Sequence, residues 1–381
     1  MIKRPYWVNK IEQAWLQRPI VWLSGVRRVG KTTIAKMFSD TKYFNCDLPS
    51  VARRLEDPEI FFSSIDKDSK VIFDEIHRLP DPSNLLKIGA DEFSNLKILA
   101  TGSSTITATK KFRDSLTGRK KTIYLPPVLW NESISEFGIK DLDKRLLHGG
   151  LPEPLQAEKK DPSFFTEWID SFYARDIQEL FNVRNREGFI SLLHLLLRQS
   201  GRLIDYTQLA KLSGLSRPTV KAHIEAMIIS HAVFLLKPFS RGGRREITQR
   251  PKCYAFDTGF VSFIKGWEGI REEDRGLLWE HLVLDSLRSI HPESNLFFWL
   301  DKSGREIDFV IKRDNKNVDT FECKVNPSNF STKNLKVFRD LYPNGQNICL
   351  SPNIIENFTT RKDDLLIEFH SLQSYFERIK P

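Results

Sequence analysis

Cysteine is scarce: four residues in 381, Cys46, Cys253, Cys323 and Cys349, none in C-x-x-C spacing with another. That argues against a disulfide framework and a cysteine-built zinc site, and fits a reducing compartment. No uninterrupted apolar run reaches the roughly 20 residues that a membrane-spanning helix needs. The start, Met1-Ile2-Lys3-Arg4-Pro5-Tyr6, leads into no apolar segment of the secretory type. The expectation is a soluble, cytoplasmic protein with no membrane partner. Negative charge is in the minority, with 49 Asp and Glu against 58 Lys and Arg, a net +9 and a pI near 9.2. A basic balance favours an acidic partner, nucleic acid foremost, although it equally describes a merely basic surface. The hydrophobic share of 40% is ordinary for a globular chain, and the length suits two or three domains.

What is present is a phosphate loop. Gly25-Val26-Arg27-Arg28-Val29-Gly30-Lys31-Thr32-Thr33 follows the apolar run Ile20-Val21-Trp22-Leu23 and opens onto Ile34-Ala35-Lys36-Met37-Phe38, which has helical character. Strand, glycine-bounded loop and helix are the context in which G-x-x-x-x-G-K-[ST] has physical meaning. The glycines let successive backbone N–H groups turn inward, and the helix start adds its own donors and positive dipole end. Gly25, Val29, Gly30, Lys31, Thr32 and Thr33 are the expected nucleotide contacts. Lys31 reaches the β- and γ-phosphates, and the Thr32 hydroxyl ligates Mg²⁺.

A second strand, Lys70-Val71-Ile72-Phe73, ends in Asp74-Glu75. Phosphoryl transfer needs one carboxylate to hold the magnesium shell, here Asp74, and another to orient or deprotonate the attacking water, here Glu75. A third, Leu96-Lys97-Ile98-Leu99-Ala100, delivers Thr101, Ser103 and Ser104 to the same carboxyl edge, where ligands bind in an open parallel sheet. Further strands are expected at Tyr43–Asp47 and Lys121–Leu125, a helix at Pro58–Ile65, and a helix carrying Trp7, Ile11, Trp15 and Leu16 on one face. The alternation predicts an α/β parallel sheet with helices on both faces. The basic segment Lys110, Lys111, Arg113, Arg119, Lys120 and Lys121 reads mostly as a solvated face. Arg119 is the candidate to neutralise γ-phosphate charge from a neighbouring subunit, with Arg113 as rival.

The alternation breaks around Gly149-Gly150-Leu151-Pro152-Glu153-Pro154, and residues 163–199 read as helical with a dense aromatic core. In Asp205–Val220 a short helix ends at Gly214, and Ser216 caps a second helix with Pro218 in its first turn. Val220, Ile224, Met227 and Ile228 give that helix a buried stripe. This is a helix-turn-helix pattern, with Arg217, Thr219 and Lys221 placed to meet DNA. The strand Val233–Leu236, a basic tip with Arg241, Arg244 and Arg245, and a return through Tyr254–Phe256 read as a wing. A lid or docking surface is the competing reading.

The last third places Glu280 on the apolar face of a helix, where an unpaired carboxylate is costly. Asp308 lies in the strand Arg305–Ile311, and Glu322 and Lys324 share one face of the strand Thr320–Val325. Three carboxylates and a lysine suit Mg²⁺ or Mn²⁺, with Lys324 positioning or activating a water. A structural Glu–Lys pair with a half-exposed Asp is the alternative.

Together the chain resembles prokaryotic AAA-superfamily P-loop ATPases with a winged helix and a C-terminal restriction-endonuclease-like, PD-(D/E)xK, domain. The resemblance rests on 25–33, Asp74-Glu75, Thr101-Gly102-Ser103-Ser104, Gly118-Arg119, Gly149–Glu153, Ala174-Arg175-Asp176, Lys252–Gly259, Glu306–Val310 and Glu322-Cys323-Lys324. Ile307 stands where that nuclease motif has proline. The resemblance implies a P-loop domain at 1–138, a helical linker or lid at 139–185, a winged helix at 186–260 and a nuclease-like α/β domain at 261–381. It also implies ATP and Mg²⁺ as cofactors, a homo-oligomeric ring such as a hexamer, Thr101 as the polar sensor at the third strand's end, and DNA as partner. The expected activity couples ATP turnover to DNA remodelling, with metal-dependent cleavage as an added capacity. The alternatives are a remodelling motor whose nuclease-like domain is silent, and an ATP-dependent switch acting on a protein partner.

Overall fold

The computed structural model describes residues 2–102, 114, 116–240 and 250–379. They fall into two compact units. The described residues up to 126 join 168–184 and 225–232 in one, and 127–167, 185–224 and those from 233 onward form the other.

The first unit is built on five parallel strands: β1 Ile20–Ser24, β2 Thr41–Asn45, β3 Lys70–Asp74, β4 Lys97–Thr101 and β5 Lys120–Tyr124. Their order in the sheet is β2-β3-β4-β1-β5. All five residues of β1 are buried, as a strand covered on both faces requires. The register pairs Leu23 with Thr101, Ser24 with Tyr124 and Asn45 with Asp74, so the polar strand ends share one edge. Phe44, Phe61, Phe62, Phe73, Leu85, Leu86 and Ile98 fill the core. Gly89 lets the helix Pro82–Asp91 lie close to that core, since a Cβ there would come within 2.7 Å of Phe62 and 2.8 Å of Ile98. The helix Pro5–Trp15 buries Trp7, Ile11 and Trp15 as expected. Leu16, counted with them in the sequence, is the helix's C-cap and stands 74% exposed.

The second unit holds a mixed sheet in the order β13-β14-β12-β11-β10-β9-β7-β8-β6. The strands are β6 Arg202–Leu203, β7 Val233–Pro238, β8 Lys252–Ala255, β9 Leu296–Leu300, β10 Glu306–Lys312, β11 Val318–Cys323, β12 Asn347–Leu350, β13 Phe358–Lys362 and β14 Leu365–His370. The helix Arg186–Arg198, β6, the helices Tyr206–Ser213 and Arg217–Ile229, then β7 and β8, follow one another in the chain. β8 pairs antiparallel with both β7 and β6. Short parallel pairing of Lys237 with Phe297 and Pro238 with Phe298 makes the sheet continuous with the C-terminal strands. The β13–β14 hairpin turns through Asp363 and Asp364, both at positive φ (48° and 63°), the backbone that a tight two-residue turn demands.

Two sequence motifs prove to be one packing device. The Asp257 carboxylate accepts from the Gly150 N–H (2.6 Å) and the Gly259 N–H (2.8 Å). A Cβ on Gly149 would lie 2.0 Å from that carboxylate, so only glycine fits. The helix Glu272–Ile290 is buried over most of its circumference from Leu278 on. The Ser200 hydroxyl accepts from the Ala255 N–H (2.7 Å) and shares a 2.7 Å hydrogen bond with Nε2 of His281 in that helix. Burial, with Lys265, Arg145 and Lys252 nearby, holds the His281 pKa down at about 3. A histidine lowered in the folded state contributes stability that is fully present above the unfolded pKa of 6.5 and is lost as pH falls from there towards 3. Denaturant unfolding followed against pH is therefore expected to show a fall between pH 6 and pH 4, to which this residue adds up to about 1.4 kcal/mol per pH unit. His281→Gln should lessen that slope; an unchanged slope would remove His281 from the account.

Candidate functional site

The phosphate loop lies at the carboxyl end of β1. Gly25 (φ 155°), Arg28 (φ 59°) and Gly30 (φ 101°) bend it, and the helix Lys31–Ala35 follows at once. The Lys31 ammonium donates to the carbonyls of Gly25 (2.9 Å) and Val26 (3.0 Å). An ammonium has three donors, so one is left for a phosphate oxygen. Burial lowers the Lys31 pKa against the pull of Glu75, Asp176 and Asp74.

Other segments of this unit brace the loop from outside. Arg4, 2% exposed, donates to the Val29 and Pro126 carbonyls (3.2 and 3.4 Å). The Trp168 indole donates to the Arg27 carbonyl (3.1 Å), and the Arg27 guanidinium pairs with Asp176 (3.1 Å). Ser24, the residue before the loop, shares a 2.5 Å hydrogen bond with Nε2 of His231, whose ring lies 4.7 Å from that of Tyr124. Asp176 sits in a π-helical turn, Tyr173–Gln178.

The carboxylates expected at the end of β3 are in place. Asp74 is 3% exposed; one oxygen accepts the Tyr43 hydroxyl (2.6 Å) and the other the Thr101 hydroxyl. Thr101 in turn accepts the Glu75 N–H (3.1 Å). That bond steadies Glu75 at φ 55°, a backbone that costs a non-glycine residue on the order of 1 kcal/mol. Burial chiefly raises the Glu75 pKa, with Lys31 opposing and Asp74 adding. Glu75 also meets Nδ1 of His77 (3.2 Å), whose pKa burial lowers to about 4, so the imidazole is neutral. Thr32 and Asp74 offer the hydroxyl and carboxylate oxygens that Mg²⁺ takes alongside nucleotide phosphates.

Arg119 forks onto Asp91 of its own chain (2.6 and 3.0 Å), the helix Pro82–Asp91 ending opposite the start of β5. Arg113, Ser103, Ser104, Lys110 and Lys111 lie outside the described residues, as do Arg241, Arg244 and Arg245. In the segment read from sequence as a helix-turn-helix, Asp205 caps the helix Tyr206–Ser213 through the Thr207 and Gln208 N–H groups, and Gly214 ends it at φ 67°. Ser216 accepts the Thr219 N–H at the start of the next. Arg217 and Lys221 are exposed and Thr219 half-exposed, while Val220, Ile224 and Met227 are buried and Ile228 half-buried.

In the second unit the strands bring Asp308, Glu322 and Lys324 together. The Lys324 ammonium lies 2.7 Å from Glu322 and 3.5 Å from Asp308, and Asp308 also accepts the Cys323 N–H (2.7 Å). Burial, and then Asp308, push the Glu322 carboxyl up to about 8. Glu280 is differently engaged. It accepts from the Tyr254 hydroxyl and from Lys252 (3.1 Å), and Lys252 also pairs with Glu306. Burial raises Glu280 to about 7, against Lys252. Among the described residues no three His, Cys, Asp or Glu side chains are arranged to hold a metal ion. Of the set Glu280, Asp308 and Glu322 that the sequence offers with Lys324, each carboxylate has one oxygen engaged by a lysine, and Tyr254 donates to the same oxygen of Glu280 as Lys252 does. Lys252, on β8, went unread as a site residue, because only folding brings it to a helix 28 residues away.

A parallel sheet with a glycine-bounded phosphate loop, Lys31 at its end and Asp74-Glu75 on the adjoining edge defines a P-loop ATPase of the AAA type. Residues 17–134 match the AAA domain family, and 139–271 and 275–367 match two domains of unknown function, DUF8612 and DUF4143. Over 328 residues the chain is 26% identical to the uncharacterized protein Rv2008c of Mycobacterium tuberculosis, covering 82% of this chain and 72% of that one. It is 24% identical over 356 residues to the uncharacterized protein MJ1544 of Methanocaldococcus jannaschii, covering 84% and 78%. Among solved structures it is similar to the Walker-type ATPase PABY2304 of Pyrococcus abyssi, at 15% identity and a TM-score of 0.45, covering 70% and 96%. No described helix is long and apolar enough to cross a membrane.

Proposed function

We propose that this ATPase is a DNA-remodelling machine, in which nucleotide turnover in a homo-oligomeric ring alters the grip of the second unit on DNA. In the ATP site Lys31 holds the β- and γ-phosphates, Thr32 and Asp74 hold Mg²⁺, and Glu75 orients and deprotonates the attacking water. Mg²⁺, when bound there, would supply charge neutralisation on the phosphates. Thr101 positions both carboxylate residues, by donating to Asp74 and accepting from the Glu75 backbone.

The observation that carries the DNA reading is the element order 186–255, helix, strand, two helices, two strands, with β8 between β7 and β6. That order supports a winged helix whose Arg217 and Lys221 stand exposed at the start of its second helix. Lys252, a cation held between Glu280 and Glu306 in addition to Lys324, favours a domain that grips DNA without cutting it. A trans role for Arg119 requires it to leave Asp91.

The test is fluorescence anisotropy with duplex, single-stranded and junction DNA, with ATP turnover read in parallel. Arg217→Ala/Lys221→Ala is expected to weaken duplex binding at least tenfold at 100 mM salt. It should reduce the salt slope by roughly 1.8, at about 0.9 per lost phosphate contact. Incubation of plasmid with Mg²⁺ or Mn²⁺ should leave it intact; cutting that Asp308→Ala abolishes would restore the nuclease reading. Turnover indifferent to every polynucleotide, with no binding at low salt, would favour a protein-directed switch instead.

A further inference from the structure

The second unit contains a cavity of about 680 Å³ lined by Arg198, Arg202, Lys265, Trp267, Glu268 and Arg271, with Gly266 and Gly269. Two short segments build it. The helix Arg186–Arg198 ends, and the chain turns through Gly201 (φ 81°), whose N–H donates to the Cys253 carbonyl (2.7 Å), into β6. Facing it, Lys265 caps the helix Thr258–Ile264, and the chain leaves through Gly266 (φ 68°) to Trp267.

Four cations line this cavity against one carboxylate, Glu268. Arg198, Arg202 and Arg271 are exposed, so solvent screens their repulsion, and together with Lys265 they form a positive patch that attracts anions. Arg271 has its compensation in Asp274 (2.6 Å) and Glu273 (2.9 Å). Among the described residues no ion pair engages Arg198 or Arg202. Lys265 lies over the Trp267 ring, 4.5 Å from its centroid. Burial lowers the Lys265 pKa, and Arg202, Arg198 and Arg271 lower it further against Asp274, so these charges act on one another. The volume is within the range of small-ligand pockets, about 300–1,000 Å³. Uncompensated arginines beside an indole are the pair of features that recognise a phosphate and an unstacked base.

We infer that this cavity binds one nucleotide unit, with its phosphate between Arg198, Arg202 and Lys265 and its base against Trp267. The unit comes from a single strand or as a free nucleotide, because in a duplex the base is stacked and out of reach. Its lining shares no residue with the ATP site or with the proposed winged-helix contacts.

Full-length protein saturated with ADP and Mg²⁺ is titrated into fluorescein-labelled dT12 at 50, 100 and 200 mM NaCl. Arg198→Ala/Arg202→Ala is expected to weaken binding at least tenfold at 100 mM. It should also reduce the salt slope by roughly 1.4, at about 0.7 per single-strand phosphate. Trp267→Ala should cost about tenfold, and Trp267→Phe should restore most of it. Basal ATP turnover and melting temperature are expected to stay at the wild-type values. Unlabelled dTMP that displaces dT12 assigns the site to free nucleotides as well, whereas dTMP that fails to compete assigns it to strands. Equal dT12 affinity and salt slope in wild type and every variant would overturn the inference. Duplex affinity is read separately through Arg217→Ala/Lys221→Ala, so loss of either site leaves the other standing.

Discussion

Glu75→Gln is expected to cut the ATP turnover number by about 10²–10⁴-fold, the range a positioned general base supplies, while nucleotide affinity changes only a few-fold. The separation follows from what the carboxyl touches. In the proposed site, phosphate is held by Lys31 and the loop that orients it, without Glu75, so binding has no reason to fail. Burial raises the Glu75 pKa above that of a free glutamate, which makes its carboxylate a better proton acceptor at neutral pH than an exposed one would be. Gln keeps the length and the backbone N–H that Thr101 accepts, so the φ of 55° is supported as before. Phosphate release in steady state gives kcat, and a fluorescent ATP analogue gives Kd. A variant that turns over within threefold of wild type would take the base role from Glu75, and Asp74 would then have to be tested in its place. Thr101→Val offers the contrast: it leaves the Glu75 carboxyl untouched but frees its backbone and removes the donor to Asp74, so a fall in kcat there reports positioning of the two carboxylates together.

The five-stranded sheet was legible because each strand is a short apolar run punctuated by chemistry at its carboxyl end, as Lys70–Asp74 and Lys97–Thr101 show. Parallel strands buried on both faces leave that trace whatever surrounds them. The phosphate loop was legible for a related reason: its glycines answer to local backbone geometry, at Gly30 most plainly. What holds the loop was not. Ser24 and His231 are 207 residues apart, and Arg27 and Asp176 are 149 apart; neither pair leaves a periodic signal. Gly149-Gly150 and Asp257-Thr258-Gly259 stood out as motifs, yet only the fold shows one carboxylate accepting N–H groups from both. In the C-terminal strands the carboxylates were legible but their state was not. The sequence shows that Glu280 needs a partner; it does not show that Lys252 and Tyr254 supply one.

That state makes Lys252→Met the sharpest probe of the second unit, with an expected loss of about 3–5 kcal/mol, the cost of stranding one side of a buried ion pair. For a unit of this size that lowers the melting temperature by roughly 10 °C. Burial works against the charge on Lys252, but Glu280 and Glu306 outweigh it and raise its pKa, so the ammonium is fully charged at neutral pH. Met retains the apolar stem and removes only that charge. The pH dependence then separates electrostatics from packing. Glu280 is raised to about 7 with Lys252 present, and without it rises further. A carboxyl raised in the folded state binds its proton more tightly there than in the unfolded chain, so this group penalises stability increasingly as pH rises from about 4.5 through its folded pKa. The deficit of Lys252→Met should therefore be small at pH 5, where Glu280 is protonated in the variant, and full at pH 8. Lys252→Met/Glu280→Gln should recover much of the deficit at pH 8, and the double-mutant cycle gives the coupling between the two side chains. A deficit that is the same at both pH values, and unrecovered in the double variant, would mean that Lys252 serves by packing alone. Glu280 would then be left without the cation that keeps it from a metal, and the case for cleavage at Asp308 and Glu322 would strengthen.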